Sequence, residues 1–180
     1  MTRRPPVKLK LEALRSYALR ALSQRGLSVS ELRRKLQLKA ENSSDIDAVV
    51  DSFRTHGFLD DKRLSEGFAD SRVQSGSIGE QRVLRDLLKK RIAPGVARQA
   101  VSRAYENVDE SALIRDFLDR KMRGKNLGEH LKEPKNLASL YRRLRTAGFS
   151  SSSSIRVLKS YSAQAEELEA IEPADGESSL

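Results

Sequence analysis

Apolar residues recur three and four positions apart along almost the whole chain, and no run of Val, Ile or Thr alternates with polar residues as a half-buried strand would. The clearest stripe is Ile46, Val49, Val50 and Phe53, followed by Leu14, Ala18, Ala21, Leu22 and by Val83, Leu84, Leu87, Leu88. Ala97, Ala100, Val101, Ala104 repeats the spacing with smaller residues. Leu113, Ile114, Phe117, Leu118, then Leu137, Leu140, Tyr141, Leu144, and finally Ile155 and Leu158 carry it toward the C-terminus. The spacing predicts helices over 11–24, 30–40, 45–56, 61–75, 79–91, 94–105, 109–123, 135–147 and 152–161, and therefore an all-α fold. The stripes read as faces turned toward a core.

Helix start signals expose a repeat. Ser28-Val29-Ser30-Glu31 and Ser77-Ile78-Gly79-Glu80, 49 positions apart, both have the S-x-x-E spacing of a capping box. In that motif the Ser hydroxyl accepts from the amide three residues on, and the Glu reaches back to the amide of the Ser. Each opens a helix with a basic face: Arg33, Arg34 and Lys35 in the first, Arg82, Arg85 and Lys89 in the second. A third such helix opens near Pro134 and carries Arg142, Arg143 and Arg145. Ser43-Ser44, Ala93-Pro94 and the serine run Ser150 to Ser154 supply turns and caps between them.

The nine helices group into three three-helix repeats, 11–58, 59–107 and 108–162, with a basic arm over 1–10 and an acidic tail over 163–180. A triplet of this size buries little alone, so the repeats are expected to stack into an elongated, curved body.

Charge sharpens this picture. The net charge is +9, but the segment from Ala163 to Leu180 holds six acidic residues and no basic ones, which leaves +15 on residues 1–162. An excess of that size exceeds what solubility requires and points to polyanions: nucleic acid, or a protein surface that is acidic or coated with DNA. The tail lacks an apolar stripe and is expected to be disordered. With 33% charged residues, nine Phe and Tyr and no Trp, several small cores are expected in place of one large one. The chain has no Cys, which excludes disulfides and thiolate metal sites and fits a reducing compartment, so a cytoplasmic location is expected. Arg3, Arg4, Lys8 and Lys10 are not followed by the apolar stretch of a signal peptide, and no stretch approaches the length of a membrane span.

No catalytic constellation emerges. His56 and His130 stand 74 positions apart and read as surface residues. Asp60-Asp61 reads as a helix cap. Gly76-Ser77-Ile78-Gly79 lacks the Lys and the preceding strand of a phosphate-binding loop and reads as a flexible connection. Phe53, Phe58, Phe68 and Phe117 read as core, not as base-stacking platforms. Lys121 to Lys125, with Gly124 as a helix stop, is a basic loop that suits phosphates or a solvated helix end equally. The basic helices remain as the functional candidates: Arg33, Arg34, Lys35, Arg82, Arg85, Lys89, Arg142, Arg143 and Arg145.

An ordered set of motifs over residues 13–161 resembles the RecX family, whose members modulate the RecA recombinase. It begins with Ala18-Leu19-Arg20-Ala21-Leu22, Arg25, Ser28 and Glu31-Leu32-Arg33-Arg34-Lys35-Leu36. Its most specific part is Gly57-Phe58-Leu59-Asp60-Asp61-Lys62-Arg63. Phe68, Ser71-Arg72, Gly76, Gly79, Asp86-Leu87, then Ala147-Gly148-Phe149 with Ile155 and Leu158 follow at similar spacing. Leu64 stands where the family usually has Phe, Lys90-Arg91-Ile92 lacks a central Gly, and Ala40-Glu41-Asn42 lacks a glycine-bearing turn.

The resemblance implies three tandem three-helix repeats, no enzymatic activity and no cofactor or metal. It also implies a role in recombination, DNA repair and the SOS response, exerted by lying in the groove of the RecA filament on DNA and suppressing its ATP hydrolysis and strand exchange or promoting its disassembly. The expected partners are RecA and single- or double-stranded DNA, met directly or through the filament, with the chain acting as a monomer away from membranes. A stand-alone DNA-binding helical protein is the alternative.

Overall fold

Short polar side chains open five of the helices among the described residues. Ser28, Asp109, Asn126 and Ser150 each accept a hydrogen bond from a backbone amide in the first turn, and Asp60 accepts from the amide of Arg63 at 2.9 Å. The computed structural model describes residues 8–76, 78–162 and 165. Among these it holds α1 (Leu11–Gln24), α2 (Val29–Gln37), α3 (Ser43–Thr55), α4 (Asp61–Ser75), α5 (Glu80–Lys89), α6 (Pro94–Tyr105), α7 (Glu110–Lys121), α8 (Leu127–His130), α9 (Pro134–Ala147) and α10 (Ser151–Lys159). The fold is all-α, as the periodicity predicts.

Nine helices match the expected segments and one does not. Helix α8 is a single turn, too short to show a period, although Asn126 caps it through the amide of Glu129. Helix α2 stops at Gln37, earlier than expected, because the following backbone pairs with Leu9. The Leu9 amide donates to the Lys39 carbonyl at 2.8 Å, and the Glu41 amide donates to that of Leu9 at 3.0 Å. Of the basic arm 1–10 and the tail 163–180, residues 1–7 and all of the tail but Ala165 lie outside the described residues. So does Ser77, and with it the second capping box.

The chain divides into two compact units, Met1–Ala69 with Arg85–Val101, and Asp70–Leu84 with Ser102–Leu180, so the division falls within α4, α5 and α6. In the first unit α1, α2 and α3 pack on one another around Leu14, Leu32, Leu36, Val49 and Val50, all fully buried. In the second, α10 packs on α7 and α9 around Ile114, Leu118, Leu131, Leu144, Leu158 and Phe149. Each such side chain contributes about 1.5–3 kcal/mol by leaving water. Phe149 is the largest fully buried one, and its ring meets the edge of Phe117 at 5.7 Å.

Two local devices fix the basic helices. In the first unit, buried Ser28 closes a complete capping box: its hydroxyl accepts from the Glu31 amide at 3.0 Å, and the Glu31 carboxylate accepts from the Ser28 amide at 3.1 Å. The same hydroxyl donates to the carbonyl of Lys90, which ties the start of α2 to the end of α5. Asp61 accepts from the Val29 amide at 2.9 Å and adds a negative charge at the N-terminus of α2. Both aspartates of the Asp60-Asp61 pair therefore serve helix starts.

In the second unit, the start of α5 lies against the end of α9. The Gly79 amide donates to the Ala147 carbonyl at 2.9 Å, and the Gln81 amide donates to that of Gly148 at 3.2 Å. Gly79 is buried, and a Cβ there would lie 2.5 Å from the amide nitrogen of Phe149. This corrects the reading of Gly76 to Gly79 as a flexible connection: at Gly79 the missing side chain permits close backbone approach. Two other readings also change. Phe58 is 55% exposed, its ring resting against Phe53 at 5.5 Å, because the chain turns outward after α3. His130 is half-buried beside Asn136, whose side-chain amide donates to the His130 carbonyl at 3.0 Å.

Candidate functional site

The cations of the basic helices gather in two grooves, one within each unit. The first is lined by Arg25, Glu31, Arg34, Lys35, Leu38, Lys89 and Arg91 and encloses ≈ 250 Å³. Arg34 and Lys35 come from the last turn of α2, and Lys89 and Arg91 from the end of α5, held beside it by the Ser28 to Lys90 bond. The single carboxylate, Glu31, is engaged by the Ser28 amide, by Arg25 at 3.1 Å and by Lys90 at 3.7 Å. Five cations thus surround one acid that is already partnered, and the field in the groove is positive.

The second groove encloses ≈ 760 Å³ and is lined by Ile78, Arg82, Phe117, Arg120, Lys121, Ser139, Arg142, Arg143, Thr146 and Ala147. Its five cations face no carboxylate on its walls. The close approach of Gly79 and Gly148 brings Arg82 to the α9 side, where its guanidinium donates to the Thr146 carbonyl at 3.3 Å. Arg120 donates to the carbonyls of Ser75, at 3.1 Å, and Gly76, so it shapes the wall as well as charging it. Lys121 stands over the half-buried ring of Phe117 at 5.9 Å from its centroid.

Six of the nine predicted cations therefore line grooves: Arg34, Lys35 and Lys89 in one, and Arg82, Arg142 and Arg143 in the other. The remaining three line neither. Arg33 pairs with Asp47 of α3, Arg145 donates to the Phe149 carbonyl at 2.7 Å and closes the end of α9, and Arg85 is exposed on α5. Sequence reasoning missed Arg25, which lies in the bend after α1, and Arg91, which it placed inside a helix over 79–91 although α5 ends at Lys89 and the chain turns at Arg91. Arg120 and Lys121 lie at the end of α7, beside the basic loop that the sequence singles out, and Phe117 is shared between core and groove wall.

Burial first, then the charge of Glu80, pushes the Tyr105 hydroxyl from 10.0 up to about 12, while its O–H donates to the Ile78 carbonyl at 2.9 Å. Among the described residues no group of three or more His, Asp or Glu could hold a metal ion, and no helix is long and apolar enough to cross a membrane.

No family model matches the chain. Individual relatives do. The chain is 32% identical over 133 residues to the regulatory protein RecX of Vibrio parahaemolyticus, which spans 74% of this chain and 81% of that one. It is 29% identical over 106 residues to the regulatory protein RecX of Syntrophotalea carbinolica, spanning 59% and 69% of the two chains. The crystal structure of RecX from Lactobacillus salivarius has the same fold, with a TM-score of 0.62 at 17% identity over 84% of this chain and 96% of that one. The identity to the Vibrio relative extends across most of both chains, so this chain belongs to the RecX family of regulatory proteins.

Proposed function

We propose that this chain regulates recombination and DNA repair by binding the RecA filament on DNA through its two cationic grooves, and that it suppresses the filament's ATP hydrolysis and strand exchange. The observation that carries the reading is the gathering of Arg34, Lys35 and Lys89, and of Arg82, Arg142 and Arg143, into grooves with almost no opposing carboxylate. Such surfaces fit the phosphates of a nucleoprotein filament, where contacts that span neighbouring recombinase subunits would bias their conformational cycling. The chain needs no cofactor for this. The nucleotide and its hydrolysis belong to the recombinase, and the protein acts as a cytoplasmic monomer. The triplets 11–58, 59–107 and 108–162 are its repeating units, an assignment supported by the mutual packing of α1, α2 and α3 and by that of α10 with α7 and α9.

The test is binding to RecA assembled on single-stranded DNA, compared with the same DNA alone, for the native chain and for a variant with Arg34, Lys35, Arg142 and Arg143 all changed to Glu. Preference for the filament, lost in the variant, is expected. Undiminished filament binding by the variant would sink the assignment of the grooves. Equal binding to filament and naked DNA would favour a stand-alone DNA-binding protein.

A further inference from the structure

Three helices of this chain end in the same backbone motif, and one of them ends against conformational preference. After α3 the Phe58 amide bonds the Phe53 carbonyl at 2.8 Å and the Gly57 amide that of Arg54 at 3.0 Å. After α9 Phe149 bonds Leu144 at 3.2 Å and Gly148 bonds Arg145 at 3.0 Å. After α5 Ile92 bonds Leu87 at 3.4 Å and Arg91 bonds Leu88 at 2.8 Å. This is the six-to-one and five-to-two pattern whose penultimate residue must adopt a left-handed conformation, the reason glycine dominates there. Gly57 and Gly148 supply it at φ 74° and 93°; the α5 terminus supplies it with Arg91 at φ 58°. Among the described residues Arg91 is the sole non-glycine with positive φ.

Packing does not explain the arginine. Arg91 is exposed, and no ion pair holds it among the described residues. Its side chain lines the first groove together with Arg25, Arg34, Lys35 and Lys89. The left-handed backbone is itself locked by the buried Ser28 hydroxyl on the preceding carbonyl, that of Lys90. Backbone strain that a glycine would remove, retained at an exposed cation within a cluster of cations, marks a binding position. The groove's ≈ 250 Å³ has room for a phosphate with its sugar.

We infer that this groove is a phosphodiester-binding subsite for a single nucleic-acid strand and that Arg91 is a direct phosphate ligand in it. The inference rests on the proposed engagement of DNA and names its chemistry at one place.

The distinguishing signature is opposite signs for stability and binding. Arg91→Gly should raise Tm by about 2–4 °C, because the strain disappears. It should also weaken binding of fluorescein-labelled oligo(dT) by about five-fold and lower the slope of log affinity against log salt by about 0.7, the loss of one phosphate contact on a single strand. Arg91→Lys keeps the charge and should keep the slope. Oligo(dT) binding by Arg91→Gly equal to that of the native chain, with the same slope, overturns the inference. So does a native chain that does not bind oligo(dT), or a loss seen toward polyglutamate but not oligo(dT), which would indicate an acidic protein partner. Failure here with filament binding still lost in the quadruple Glu variant leaves the proposed function standing. Loss of oligo(dT) affinity in Arg91→Gly, from a chain that ignores RecA filaments, does the reverse.

Discussion

Gly148→Ala should be among the most destabilising single-methyl changes available to this protein. Two separate effects add at that position. The backbone sits at φ 93°, where an L side chain costs about 1–2 kcal/mol relative to glycine. A Cβ there would lie 2.8 Å from the Cα of Arg82 and nearer still to its amide nitrogen and Cβ, so the start of α5 must move off the end of α9. Backbone cannot rotate away as a side-chain tip can, and overpacking of this kind costs about 1–3 kcal/mol. Gly57 provides the internal control: its φ is 74°, yet a Cβ there would meet nothing within 4 Å. Gly57→Ala should therefore lose about 1–2 kcal/mol and Gly148→Ala about 2–5 kcal/mol. For a chain of 180 residues these correspond to Tm decreases of about 2–8 °C and about 4–20 °C in thermal denaturation followed by far-ultraviolet circular dichroism. Equal decreases for the two variants would refute the claim that close approach of α5 and α9 organises the second groove.

Ser28→Ala removes a hydroxyl that both caps α2 and anchors the Lys90 carbonyl, so a loss of about 1–3 kcal/mol is expected in chemical denaturation. A change under about 0.5 kcal/mol would mean the bond to α5 carries no weight. Phe149→Ala should cost about 3–5 kcal/mol, since the ring is fully buried in the core of the second unit; a variant with native Tm would contradict that placement. Tyr105 predicts an alkaline effect. Its folded pKa of about 12 lies above the ordinary 10.0, so its contribution is complete below pH 10.0 and disappears as the pH rises through about 12. Stability should therefore fall more steeply across that interval in the native chain than in Tyr105→Phe, and parallel curves would exclude the effect.

The fold was largely legible because its helices carry regular apolar stripes. Leu14 and Ala18, or Leu137, Leu140, Tyr141 and Leu144, occupy one face at helical spacing and are buried where the spacing places them. What escaped has no period. Helix α8 is too short to display one, and the pairing of Leu9 with Ala40 depends on residues 31 positions apart. The grooves were half legible. Runs such as Arg33-Arg34-Lys35 announce a basic helix, but a linear run cannot say that Arg33 turns to Asp47 while Arg34 and Lys35 turn to the groove. Nor could it join Lys89 to Arg34, because that proximity is made by the Ser28 to Lys90 bond. Gly79 and Gly148 look like ordinary turn residues in sequence, and only the approach of the start of α5 to the end of α9 shows that a side chain at Gly79 would meet Gly148 and one at Gly148 would meet Arg82.

RecA's DNA-dependent ATP hydrolysis, measured with substoichiometric amounts of this protein beside its binding to the same DNA alone, tests the central claim most directly. Suppression at ratios too low to mask the DNA, abolished when Arg34, Lys35, Arg142 and Arg143 are all changed to Glu, is the predicted result. Hydrolysis that stays unchanged until the protein coats the DNA would contradict the account and leave simple competition for DNA in its place.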